Sequence, residues 1–108
     1  MSDTLTIVRA HVAAGRARVS EHGRQELSDD GIGLESVLMG LAEAIIVEEY
    51  PDYAKGPCVL CLQLDENGQP IHVLWGLAAN NPHEATLITA YRPDPERWME
   101  DKITRRRR

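Results

Sequence analysis

Apolar positions in the first forty residues recur at helical spacing, and from Ala44 onward they run in short blocks broken by turn residues. Leu5, Val8 and Val12 share one helical face; Ser2 or Asp3 can cap that helix and Gly15 can end it. Arg18–Val19 reads as a short extended link. Ser20 then serves as N-cap of a second helix through Leu27, closed by Gly31, and Leu34, Val37, Leu38 and Leu41 predict a third over 34–41. Four strands are expected after it: Ala44–Tyr50 stopped by Pro51, Cys58–Leu64, Ile71–Ala78 and Glu84–Tyr91. Pro93 and Pro95 close the last strand, with Trp98 in a final helical turn.

Turn chemistry extends this to a register. Asn67-Gly68 is the strongest short hairpin signal in the chain, and Asn80–His83 supplies a second turn. With Asn67-Gly68 central in a two-residue turn, Leu64 faces Ile71, Leu62 faces Val73 and Leu60 faces Trp75. That apolar face continues through Ile88 and Ala90 and is the expected seat of the helices. Gln63, His72, Thr89 and Tyr91 fall on the opposite, open face, His72 directly across from Tyr91. The expected fold class is α+β: N-terminal helices on one face of a mostly antiparallel sheet of about four strands.

Composition narrows the picture. At 108 residues the chain has room for one modest core, so a single domain is expected over 1–108. No stretch approaches the ~20 apolar residues of a membrane span, and the start MSDTLTIVRA lacks the basic-then-apolar order of a secretory signal. A cytoplasmic protein is expected. Cys58 and Cys61 are the only cysteines, and lie within an apolar strand pattern where residues three apart point to opposite faces. Two reduced thiols are expected, and no metal. The formal charge is −5 and Arg105–Arg108 hold four of the twelve cations, so the body without them is more acidic still. Such a body binds nucleic acid poorly by charge alone.

The open face supplies the main candidate chemistry, because imidazole suits proton transfer near neutral pH and phenol or hydroxyl groups can orient a phosphate. His22, one turn into the second helix with Arg24 beside it, can grip an anion at the free N–H groups there. Glu48 and Glu49 are possible bases, but adjacent strand residues face opposite ways, so one at most points into any site. His11 and His83 carry no such context.

Six pieces of sequence together resemble a known pattern: SEHGRQEL, DDGIGLESVLMGL, IVEEYP, GPCVLCL, NGQPIHVLWG and LITAYRPDPERW. They resemble the small bacterial proteins grouped as domain of unknown function 4258, over roughly Ser20 to Trp98, with 99–108 as a tail. That family is similar in outline to RelE-like ribonuclease toxins of toxin–antitoxin pairs. The resemblance implies helices on one sheet face, an RNA-cleaving opposite face, and a small zinc-finger antitoxin as partner. The matching polar positions are His22, His72, Thr89, Tyr91 and Tyr50. Relatives usually carry Arg where this chain has Glu26 and Asp30.

Two functions follow as expectations. One is a metal-independent endoribonuclease needing no cofactor: His22, His72, Tyr91 and Thr89 form the catalytic set, with His72 or His22 as acid and base and Tyr91 positioning the phosphate, while Arg24 or Arg92 offsets its charge and Gln63 and Tyr50 bind the RNA. The other is a non-catalytic module that binds a protein partner, or forms a homodimer, through the exposed sheet edge or face.

Overall fold

The computed structural model describes residues 3–104, so the capping role considered for Ser2 and the arginines 105–108 lie outside the described residues. Helix α1 spans Asp3–Ala13, with Leu5 and Val8 buried and Gly15 turning the chain away at φ +76°. Strand β1 (Ala17–Val19) follows, then α2 (Glu21–Asp29), α3 (Leu34–Gly40) and a short 3₁₀ turn over Leu41–Glu43. The remaining strands are β2 (Ile45–Tyr50), β3 (Cys58–Leu64), β4 (Pro70–Leu77) and β5 (Ala85–Tyr91). The class is α+β, with the helices packed on a mixed, mostly antiparallel sheet ordered β1-β5-β4-β3-β2.

The fifth strand is the segment that reads as an extended link. Ala17, Arg18 and Val19 pair in parallel with Ala85, Thr86 and Leu87, and the Ser20 N–H continues the ladder to the Leu87 carbonyl. Only three residues pair, too few for an alternating pattern to show. Ser20 does cap α2, accepting from the Gly23 N–H at 2.9 Å, while its hydroxyl donates to the Ile88 carbonyl at 2.7 Å. One side chain thereby sets both the start of α2 and its position on β5. Gly23 allows the close approach: a Cβ there would lie 3.0 Å from both the side chain and the carbonyl of Leu87.

The β3–β4 register differs from the expected one by one residue. Leu64 pairs with Pro70, Gln63 with Ile71, Leu62 with His72 and Val59 with Trp75. The reason is Asp65. Its N–H donates to the Gln69 carbonyl, and its Oδ1 accepts from the N–H groups of Asn67 and Gln69, each at 2.9 Å. The loop is therefore Glu66-Asn67-Gly68, with Gly68 at φ +75° (a type I turn followed by a left-handed residue) and not a two-residue turn. A one-residue slip on a period of two reverses a strand's faces. Val59, Cys61 and Gln63 lie toward the helices, and Leu60 and Leu62, expected beneath them, lie on the other face. The β4 half of the expectation holds, because Val73 and Trp75 are fully buried in the main core.

A second irregularity sits on β5. Leu74 pairs with Thr89 but Trp75 with Leu87, so Ile88 is an extra, bulged residue. Leu87 and Ala90 enter the core under the helices, whereas Ile88, expected there too, lies over Gly76 on the opposite face. Cys61 is in the core and Cys58 faces the other way, as residues three apart in a strand must. Burial pushes the Cys61 thiol up to about 12 and raises that of Cys58.

Candidate functional site

On the sheet face away from the helices, β2, β3, β4 and β5 together line a groove of about 320 Å³. Its walls are Tyr50, Tyr53, Leu60, Leu74, Thr89 and Tyr91, with Cys58 and Ile88. The Tyr50 hydroxyl donates to Glu48 Oε1 at 2.8 Å, so of the two adjacent glutamates Glu48 is the one tied to the groove wall. Tyr50, Thr89 and Tyr91, each a candidate from sequence, are brought together here.

His72 lies beside this groove, opposite Tyr91 as the register requires, but it is fully buried. Residues 94–104 fold back across it. Asp94 caps a turn that brings in Trp98, 3% exposed, whose ring meets the His72 ring edge-on at 4.4 Å. Beyond it, Asp101 accepts from the N–H groups of Ile103 and Thr104 and from the Thr104 hydroxyl, closing a loop through Lys102. That loop presents the Lys102 carbonyl 2.6 Å from His72 Nε2. A carbonyl only accepts, so Nε2 carries the proton and donates. In the neutral ring Nδ1 is then the acceptor, to which the Tyr91 hydroxyl 3.2 Å away donates. Both ring nitrogens are thus used inside the protein. The segment 99–104, read from sequence as the start of a tail, covers the residue that the open face was expected to offer.

The other candidates lie elsewhere. Gln63, expected on the open face, is 2% exposed on the helix side. It donates to the Val37 carbonyl at 2.8 Å and accepts from the Trp75 indole N–H at 3.1 Å, joining α3 to β4. His22 and Arg24 sit on the outer side of α2, with Glu21, Gln25 and Ser28 around a shallow depression that shares no residue with the groove. His22 Nε2 is 3.6 Å from Glu26 Oε1, at one of the positions where an Arg was expected from the resemblance. The other, Asp30, accepts the Arg92 backbone N–H at 3.1 Å. The Arg92 guanidinium pairs with Asp65 at 3.0 Å, next to Gln69 and Pro70 and outside the groove lining. Among the described residues no Lys, Arg or His lines the groove itself.

Two features escaped the sequence reading. The Lys102 contact is made by a backbone carbonyl and leaves no mark on residue type. Asp65 did leave one: an Asp at the start of a hairpin loop with Gly three positions on favours an Asx-type turn. It holds the loop, and its carboxyl lies below the usual range, chiefly through the Gln69 N–H and then through Arg92 and Asn67.

These features define the class: a small α+β domain with a helix-covered sheet face and a second face bearing a phenol-rimmed apolar groove. The model of the family described as Domain of unknown function (DUF4258) matches residues 19–92, and the chain belongs to that family. No curated protein and no solved structure matches it. No helix among the described residues is long and apolar enough to cross a membrane.

Proposed function

We propose that this domain is a non-catalytic protein-interaction module whose frame resembles a toxin-type ribonuclease and whose site no longer supports cleavage. One observation carries the reading: His72 spends both ring nitrogens on Tyr91 and Lys102 at zero exposure. A general base must reach the proton it removes, within hydrogen-bond distance of substrate or through one water. The cations of the ribonuclease scheme are also engaged or distant, Arg92 with Asp65 and Arg24 on the outer side of α2. What remains exposed is suited to contact with protein. Among the described residues β2 is an edge strand beside β3, and Met39, Ile45 and Leu64 are exposed near it. A cytoplasmic setting fits the two cysteines, both free thiols. Induction of the intact protein in a bacterial host tests the reading: growth should continue unchanged, and growth arrest would overturn it.

A ribonuclease reading has one specific observation in its favour, the meeting of Tyr50, Thr89 and Tyr91 around the groove with Glu48 bonded to Tyr50. On that reading bases stack on the phenol rings, Glu48 accepts the 2′-hydroxyl proton, and a small antitoxin protein restrains the activity. Among the described residues, none in the groove lining offsets phosphate charge, and the interaction reading is therefore preferred.

A further inference from the structure

At the end of the sheet opposite Tyr50, α3, the start of β2 and the end of β3 enclose a second, larger groove of about 880 Å³. Its floor and lip carry Met39, Ile45 and Leu64, which are 81%, 52% and 56% exposed. Its rim carries Glu35, Glu43 and Glu66, and none of the three forms an ion pair among the described residues. Asp65, the fourth carboxylate there, is neutralised by Arg92. Among the described residues no Lys, Arg or His lines the groove. Large apolar side chains at this exposure, ringed by one sign of charge, mark a surface that a complementary partner covers.

We propose that this groove docks an amphipathic helix of a partner protein, its apolar stripe on Met39, Ile45 and Leu64 and its flanking Lys or Arg residues over Glu35, Glu43 and Glu66. The inference rests on the protein-interaction reading above and names the partner's chemistry. Three features select this occupant. A second copy meeting this groove about a twofold axis would set carboxylates against carboxylates, and a nucleic acid would set phosphates against them. Strand addition along β2 is disfavoured by the irregularity between Ile46 and Glu48, which breaks the edge ladder midway. A helix needs no edge hydrogen bonds and reads a groove through residues one turn apart.

Fluorescence anisotropy tests this with two synthetic helical peptides, one pairing a leucine stripe with lysine flanks and one replacing each lysine by glutamate. The lysine peptide should bind and the glutamate peptide should not. Glu35→Lys/Glu43→Lys/Glu66→Lys should weaken binding about tenfold or more, through like-charge contact. Glu21→Lys/Glu96→Lys/Glu100→Lys, which makes equal charge changes elsewhere, should leave it within about threefold. Met39→Asp, at an exposed site that does not threaten folding, should abolish binding. Equal binding of both peptides, equal weakening by both triple variants, or a homodimer that Met39→Asp dissolves would each overturn the proposal. RNA cleavage by a protein that still binds the lysine peptide would sink only the non-catalytic reading; absent binding without cleavage would sink only this one.

Discussion

His72→Ala separates a structural histidine from a catalytic one. The ring is fully buried between Tyr91 and Trp98, with centroids at 5.3 and 4.4 Å. Removing it deletes two hydrogen bonds, each contributing ~0.5–1.5 kcal/mol net. It also leaves a void beneath Trp98, and large-to-alanine changes at buried sites cost ~2–5 kcal/mol in all. Some of the freed polar atoms can reach water once the 94–104 segment loosens, so a total of about 2–4 kcal/mol is expected. For a domain of this size that lowers the melting temperature by roughly 10–25 °C. Thermal unfolding followed by far-UV circular dichroism measures it, and near-UV ellipticity should report a loss of order at Trp98. Tyr91→Phe alone should cost about 1 kcal/mol, and the double variant less than the two singles summed, since both remove one hydrogen bond. An unchanged melting curve for His72→Ala, the behaviour of an exposed residue, would refute the argument that His72 is sealed and structural.

Gln63→Leu should destabilise by about 1–3 kcal/mol, because the buried Trp75 indole N–H loses its acceptor, and chemical denaturation at constant m-value checks it. The depressed carboxyl of Asp65 contributes stability in full above its ordinary range, and that contribution is lost as pH falls through the lower folded value. Asp65→Asn should therefore be less stable than wild type near neutrality and lose less on acidification from about pH 4 downward; parallel acid profiles would contradict this. Cys61, pushed up to about 12 by burial, should resist a thiol reagent at mildly alkaline pH in the folded protein and react once unfolded. Rapid labelling of the native protein at Cys61 would count against its place in the core.

Apart from β1, whose three residues carry no pattern, the element order was legible because each piece has its own local signal. Ser20 caps α2 and β3 begins and ends at Cys58 and Leu64, as the residue pattern requires. The β3 faces were not legible from Asn67-Gly68, because that dipeptide suits both a two-residue turn and the longer loop. The Asp65 carboxylate decides between them. His72 opposite Tyr91 survived the slip, since that pairing belongs to β4 and β5 and both residues kept their face. Exposure of His72 did not survive, for a physical reason strand periodicity cannot contain. Alternation reports which side of a sheet a residue occupies, and another segment, here 94–104, decides whether that side meets water. Gln63 shows the converse: a polar residue at a core position of β3 is tolerated because Val37 and Trp75 satisfy it.

Incubating the purified intact protein with a mixed-sequence RNA, and assaying for new 2′,3′-cyclic phosphate ends, tests the central claim most directly. With both nitrogens of His72 held by Tyr91 and Lys102, and with no cation among the described residues lining the groove, RNA should remain uncut at every protein concentration. Cleavage by the wild-type chain that disappears in a folded His72 or Glu48 variant would contradict the account.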